Sequence, residues 1–146
     1  MRVVAQRVTA ARVRVEGAKV GEIGPGLLLL VGAGEGDSAA TARWLADKCA
    51  HLRIFEDEDR KMNRSLVDIR GEALVVSQFT LYGDCKKGRR PSFTGALEPE
   101  AARGLVDLFA DCLRAAGVRV TTGEFGAKMD VELINHGPVT MLLEYP

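Results

Sequence analysis

The chain has 146 residues, enough to bury a hydrophobic core, and we expect a single domain spanning residues 1–146. Its 20 lysines and arginines balance 20 aspartates and glutamates, and a net charge of zero argues against bulk electrostatic binding of nucleic acid. No segment approaches the roughly 20 apolar residues of a membrane span, and no secretory signal is recognisable, so we expect neither a membrane nor DNA as a partner.

The first third of the chain has the pattern of β-structure. Apolar and polar residues alternate, as they do in half-buried strands, and two glycine-containing turns separate the later runs. The predicted strands and turns follow in the order 3–8, 12–16, a hairpin turn at 16–19, 20–23, a turn at 24–26, and the buried strand 27–31.

The rest of the chain predicts two helices and further strands. Asp37 or Ser38 can cap a helix that runs to about Arg53, and a second helix begins near Pro99 and ends before Gly117. The remaining predicted strands are 73–76, 118–122, 131–135 and 139–143. Because helices and strands do not alternate strictly, the predicted fold class is α+β with a mixed or largely antiparallel sheet.

The three cysteines, Cys49, Cys85 and Cys112, are odd in number and far apart. They predict neither a disulfide framework nor a zinc site, and they favour a reducing, cytoplasmic location. Cys49 and Cys112 fall in the helical patterns and are interpreted as core residues. With no metal cluster and no phosphate-binding glycine motif, we expect no metal and no cofactor.

Gly137-Pro138 stands between the last two predicted strands. Proline lacks a backbone N–H and does not belong in the middle of a sheet, and X-Pro is the peptide bond for which cis costs least. The pair is therefore a plain turn or a rigid wedge of backbone. On residue propensities alone the turn is favoured.

The candidate catalytic and binding groups lie mainly in two segments, residues 77–80 and the basic run at 86–90. Ser77-Gln78-Phe79-Thr80 follows a predicted buried strand and brings hydroxyl, amide and backbone N–H groups to a sheet edge, although such groups also commonly satisfy the local backbone. His136 could act as a base for Ser77 or Thr80, but nothing near it in sequence orients it. The dense basic run is an RNA-binding patch or a solvated loop, and its members are Lys86, Lys87, Arg89 and Arg90.

Two motifs in this chain resemble those of the D-aminoacyl-tRNA deacylases: Ser77-Gln78-Phe79-Thr80-Leu81-Tyr82 and Asn135-x-Gly137-Pro138-Val139-Thr140. The resemblance runs nearly end to end. It includes Gln6-Arg7-Val8, the segments 21–28, 52–57, 61–63, 86–93 and 122–127, and Met129. Position 136 departs from the family pattern, since histidine stands where a small acidic residue is expected.

The resemblance implies a homodimeric editing enzyme with a small β-barrel-like α+β fold and two main helices. Such an enzyme hydrolyses the ester that joins a D-amino acid, or glycine mischarged on tRNA(Ala), to the terminal adenosine of tRNA. In the family the Gly-Pro bond is cis, and the pair enters the partner's pocket, where its main chain excludes L-amino acids. This role is carried over to Gly137 and Pro138.

The resemblance leaves two accounts of catalysis. In one, the Thr80 hydroxyl attacks the ester carbonyl. In the other, which we favour because the chain offers no dependable base, the 2′-hydroxyl of the adenosine assists a water molecule while the Phe79 and Thr80 amides stabilise the oxyanion. The supporting roles are shaping of the adenosine site by Ser77 and Gln78, packing by Met129, placement of the Gly-Pro segment by Arg7, substrate binding by Asn135, and contact with the tRNA acceptor end by the basic run.

Two other classes of function remain open from the sequence. A non-enzymatic RNA-binding module would use the basic run to bind tRNA in a salt-sensitive way without turnover. A structural dimer would pair its C-terminal strands across an interface and would show no dependence on tRNA.

Overall fold

The computed structural model describes residues 1–145. Within these residues the chain forms eight strands, two α-helices and one 3₁₀ turn. In chain order they are β1 (Arg2–Val15), β2 (Ala18–Ile23), β3 (Gly26–Gly32), α1 (Ala39–His51), β4 (Phe55–Glu56), β5 (Met62–Arg64), β6 (Glu72–Ser77), the 3₁₀ turn (Phe79–Tyr82), α2 (Pro99–Ala115), β7 (Arg119–Thr122) and β8 (Asp130–Glu144).

The long strand β1 is the centre of the main sheet. On one side its first half pairs antiparallel with β3 and its second half with β2, and on the other side β8 pairs with it. The parallel pairs β3–β6 and β6–β7 extend the sheet. Gly21 of β2 packs against Thr121 of β7, so the two ends of the sheet approach each other. The fold is therefore α+β with a nearly closed, barrel-like mixed sheet, as predicted.

The alternation of side chains along the strands divides the core into two parts. Leu27 and Leu29 face the two helices, where they join a cluster that includes Leu45, Phe109 and Leu113. Successive residues of a strand point to opposite faces, so the intervening residue joins the cluster inside the barrel. That second cluster contains Val8, Val13, Ile23, Leu28, Leu74 and Val76.

Most of the predicted boundaries are confirmed. Glu16 and Gly17 have φ values of 48° and 81°, the backbone of a two-residue hairpin turn. The first helix follows Ser38 and ends at His51, slightly earlier than predicted, and the second begins at Pro99. Cys49 is a core residue, and its burial raises the pKa of the thiol to about 12. A buried thiol of this kind is unreactive.

The prediction of two C-terminal strands separated at Gly137-Pro138 is wrong. The chain does not reverse there, because β8 continues along β1 in one direction. Gln6 of β1 faces Thr140 and Val8 faces Asn135, so residues 136–139 form a bulge opposite Arg7. An edge-strand bulge accommodates proline, since no ladder hydrogen bond is needed there. Residue propensities reflect only neighbouring residues, so they could not show that both halves of β8 pair with β1.

Candidate functional site

The polar motif lies where β6 ends. Ser77 is the last residue of the strand, and the Gln78 N–H donates to the Val31 carbonyl at 2.8 Å. The chain then tightens into the 3₁₀ turn, where the Gln78 side-chain amide contacts the Thr80 hydroxyl. In the part of the chain that the structure describes, the N–H groups of Phe79 and Thr80 have no hydrogen-bond acceptor. The first N–H groups of a helical turn have no partner within it, so these two are available to a ligand.

Two clefts meet at this turn, and both are lined by Ser77, Gln78 and Phe79. The first, which we name the α2 cleft, has a volume of about 390 Å³ and is bounded also by Phe93, Ala102, Val106 and Phe125. The second, which we name the Met129 cleft, has a volume of about 230 Å³ and is bounded also by Val76, Gly126, Ala127, Met129 and Val131. Residues 77–79 thus lie between the two clefts and line both of them.

Three aromatic side chains line the α2 cleft: Phe79, Phe93 and Phe125. Phe79 is 56% exposed, and its ring meets that of Phe93 edge to face with centroids 5.2 Å apart. Phe125, which also lines this cleft, carries the Arg103 guanidinium 4.8 Å from its ring centroid. Rings of this kind in a largely apolar cleft are suited to holding a planar heterocycle.

The Gly137-Pro138 bulge is exposed and is held from behind by a buried arginine. The Gly137-Pro138 peptide bond is cis, and Gly137 has a φ of 131°. Arg7 is only 4% exposed, and it donates from Nε to the His136 carbonyl at 2.9 Å and from Nη1 to the Ile54 carbonyl at 2.8 Å. Its remaining nitrogen lies 3.8 Å from a Glu56 carboxylate oxygen. The guanidinium therefore fixes the main chain of the bulge to the body of the protein.

Asn135 closes the bulge at its base. Its Oδ1 accepts the Val139 N–H at 2.9 Å, and its Nδ2 donates to the Thr140 hydroxyl at 2.8 Å. These bonds join the strand residues on either side of Gly137-Pro138. Asn135 thus acts on the shape of the bulge, and it lines neither the α2 cleft nor the Met129 cleft.

The basic run forms an exposed loop beside the α2 cleft. Asp84 and Ser92 exchange backbone hydrogen bonds of 2.7 and 3.0 Å at the ends of this loop, directly before Phe93. The four basic residues between these ends are exposed, and no carboxylate of residues 1–145 forms an ion pair with them. Positive charge is therefore available to a ligand close to the mouth of the α2 cleft.

The structure brings together only part of the predicted site. Ser77, Gln78, Phe79 and Met129 share the Met129 cleft, with Thr80 in the adjoining turn. Gly137 and Pro138 line neither cleft. Sequence reasoning did not identify Phe93, Ala102, Val106 and Phe125 as a binding surface. The helical spacing of Ala102 and Val106 is typical of a buried face, but it does not show that part of this face borders a cleft.

Two findings bear on cofactors and membranes. Among the described residues, no group of three or more histidine, cysteine, aspartate or glutamate side chains could hold a metal ion. No helix in residues 1–145 is both long enough and apolar enough to cross a bilayer.

The fold and the paired clefts define a small barrel-like α+β protein with a largely apolar cleft at a strand end. The family described as D-Tyr-tRNA(Tyr) deacylase matches residues 4–144. Two proteins named D-aminoacyl-tRNA deacylase are close relatives. The one from Heliobacterium modesticaldum is 62% identical over 99% of this chain and 96% of its own length. The one from Thermomicrobium roseum is 65% identical over 99% of this chain and 94% of its own length.

Two solved structures have a similar fold. A structure described as c-Myc DNA unwinding element binding protein superposes with a TM-score of 0.94 at 40% identity, covering 100% of this chain and 99% of the other. Another, described as a probable eukaryotic D-amino acid tRNA deacylase, has a TM-score of 0.81 at 21% identity and covers 97% of each chain, which shows the shared fold. The chain belongs to the D-Tyr-tRNA(Tyr) deacylase family. The sequence resemblance, and with it the expectation of an enzyme, is confirmed.

Proposed function

We propose that this protein hydrolyses the ester of D-aminoacyl-tRNA at the turn between the two clefts. The observation that carries the proposal is the pair of unsatisfied N–H groups on Phe79, which lines both the α2 cleft and the Met129 cleft, and on Thr80, the next residue of the turn. An ester carbonyl at this junction would receive two hydrogen bonds as its oxygen becomes negative. Donors fixed in this way stabilise the transition state without reorganisation.

The α2 cleft supports binding of the terminal adenosine. Its volume of about 390 Å³ lies in the range, roughly 300–1,000 Å³, of small-molecule sites. Phe79, Phe93 and Phe125 offer ring faces and edges to a base. With the base in this cleft, the ribose reaches Ser77 and Gln78, which would shape its position as the sequence resemblance implies.

The smaller Met129 cleft supports binding of the aminoacyl group on the other side of the turn. This assignment places the scissile ester, which lies between nucleoside and amino acid, beside the Phe79 and Thr80 amides. The substrate would thus be held at both ends with its reacting carbonyl fixed in the middle. Such positioning contributes much of the rate for an ester that is already activated.

No side chain of the described site is oriented as a general base for Thr80. His136 lies on the exposed bulge and lines neither cleft of its own chain. The Thr80 hydroxyl is in contact with the Gln78 side-chain amide rather than with a basic group. These contacts support the account in which the adenosine 2′-hydroxyl assists a water molecule and the backbone amides bind the oxyanion.

Thr80→Ala separates the two accounts. We expect the variant to keep kcat for D-Tyr-tRNA within about tenfold of the unmodified protein, because alanine preserves both backbone N–H groups. Steady-state deacylation measures kcat and single-turnover deacylation isolates the chemical step, and Thr94→Ala, at an exposed threonine outside the turn, is the control. A fall of about three orders of magnitude or more, as expected for loss of a nucleophile, would contradict the backbone account.

We propose that the active form is a homodimer in which Gly137-Pro138 enters the partner's site. The bulge lines neither cleft of its own chain, so a chirality filter at this position requires a second copy. In the described chain β8 pairs with β1 alone, which leaves its other edge free along 15 residues. Ile134 and Leu142 on this strand are 62% and 64% exposed. A long apolar edge is suited to pairing with another chain.

Ile134→Glu tests the dimer. A charge at this exposed apolar position should shift the protein to the monomer in analytical ultracentrifugation, because desolvating an unpaired carboxylate opposes association. Deacylation should then lose its selectivity for D-substrates or fail. Val20→Glu, which replaces an apolar residue 41% exposed on β2, should remain dimeric. An unmodified protein that is monomeric at assay concentration and still rejects L-Tyr-tRNA would contradict the shared site.

Further assignments belong to the same proposal. Glycine has no side chain for the wedge to reject, so glycine mischarged on tRNA(Ala) would also be a substrate. The exposed loop with Lys86, Lys87, Arg89 and Arg90 would contact the phosphates of the acceptor end near the mouth of the α2 cleft. The widely spaced cysteines support the cytoplasm as the place of action.

A further inference from the structure

The Tyr82 side chain holds the far end of the 3₁₀ turn. Its ring lies against the backbone of Gly34, where an added Cβ would come within 2.2 Å of a ring carbon, so any other residue at position 34 would displace the ring. Its hydroxyl donates to Asp37 Oδ2 at 3.3 Å, and the same oxygen accepts the Gly34 N–H at 2.7 Å. The Asp37 side chain is only 7% exposed. The ring and the hydroxyl are therefore both tied to the loop between β3 and α1.

Arg2 holds the same turn from another side. Its Nη1 donates to the Leu81 carbonyl at 2.8 Å, and its guanidinium lies 4.6 Å from the centroid of the Tyr82 ring. Its Nε pairs with the Glu144 carboxylate at 2.7 Å, which orients the guanidinium from β8. A planar guanidinium can stack on a ring and donate in its own plane at the same time. Arg2 thus links β1, β8 and the turn.

The pKa of Tyr82 keeps its hydroxyl in the protonated form, which can donate a hydrogen bond. Burial, followed by the negative charge of Asp37 and the hydrogen bond to it, raises the pKa of Tyr82 to about 12. The phenol therefore stays protonated at neutral pH and donates to Asp37.

We infer that Arg2, Tyr82 and Asp37 are positioning residues for the reaction. They line neither cleft, yet they fix the turn whose first two N–H groups have no acceptor and which begins at Phe79, a residue that lines both clefts. This inference rests on the proposed function, in which the Phe79 and Thr80 amides bind the oxyanion. Amides stabilise a transition state only while their direction is held, and small displacements of such groups cost large factors in rate.

The test compares Tyr82→Phe with Tyr82→Leu in deacylation of D-Tyr-tRNA, together with thermal unfolding and deuterium uptake of segment 78–83. Tyr82→Phe removes only the bond to Asp37, and we expect kcat to fall about tenfold with KM unchanged, the rate equivalent of one hydrogen bond. Tyr82→Leu also removes the ring beneath Arg2 and should lower kcat about 100-fold. Deuterium uptake in 78–83 should be faster in both variants.

Arg2→Gln gives a second approach to the same turn, and we expect a fall in kcat of about tenfold or more. Arg12→Gln on the same strand and Tyr145→Phe are matched controls that should keep the unmodified kcat. Unchanged kcat in both Tyr82→Phe and Arg2→Gln would overturn the inference, as would a loss that follows only the fraction of folded protein. Failure of the proposed function is distinguishable, since the unmodified protein would then not deacylate D-Tyr-tRNA. If the unmodified protein does not deacylate D-Tyr-tRNA, unchanged deuterium uptake of segment 78–83 in the variants would still overturn the inference.

Discussion

Pro138→Ala should admit L-Tyr-tRNA to the reaction. Alanine removes the exposed ring of the bulge and the restriction of φ that proline imposes, so the main chain of the wall can yield to an L side chain. Because one methylene in a pocket changes specificity about 10- to 200-fold, we expect the ratio of kcat/KM for D- over L-Tyr-tRNA to fall at least about tenfold. The rate on the D-substrate should change less than the rate on the L-substrate.

Two further variants make the wedge experiment decisive. Arg7→Lys removes the paired hydrogen bonds to the His136 and Ile54 carbonyls while keeping the charge, and it should lower the same ratio by releasing the bulge from behind. Pro25→Ala replaces an exposed proline in the turn between β2 and β3 and should leave the ratio unchanged. Full activity with unaltered chirality in both Pro138→Ala and Arg7→Lys would contradict the wedge.

Ala102→Phe should abolish most activity by filling the α2 cleft. Ala102 is 7% exposed on the wall formed by α2, and a phenyl group there would occupy the space assigned to the adenine ring. We expect kcat/KM for D-Tyr-tRNA to fall at least about 100-fold, since loss of the nucleoside contacts removes several kcal/mol of binding. Steady-state kinetics provides the measurement, with thermal unfolding to establish that the variant is folded.

The neighbouring position provides the control for this experiment. Ala101 lies on the exposed face of α2, so Ala101→Phe adds the same side chain to the same helix without entering the cleft. It should keep kcat/KM within about twofold, as surface substitutions usually do. A folded Ala102→Phe protein with unaltered kcat/KM would place the nucleoside elsewhere.

Features that depend on local pattern could be predicted from the sequence. Pro99 and Gly117 bound the second helix because they act through their own backbone, and the continuous apolar run at 27–31 indicated a buried strand. The family motifs predicted a site at the segment 77–82. These signals are contained in a few neighbouring residues, so no tertiary information was needed to read them.

Features that depend on distant pairing could not be predicted. Gly137-Pro138 has the composition of a turn, and only the shared pairing of both flanking segments with β1 makes it a bulge. Tyr82 and Asp37 are 45 residues apart, and their contact depends on the parallel pairing of β3 with β6. The α2 cleft likewise needs the helix, the turn and Phe125 in place together.

The central claim is that this protein removes D-amino acids from tRNA and spares L-amino acids. The measurement that tests it most directly is deacylation of D-Tyr-tRNA and L-Tyr-tRNA, matched in tRNA and concentration, by the unmodified protein. We predict rapid hydrolysis of the D-substrate, with the L-substrate decaying no faster than in buffer. Equal rates on the two substrates, or binding of tRNA without turnover of either, would contradict the account.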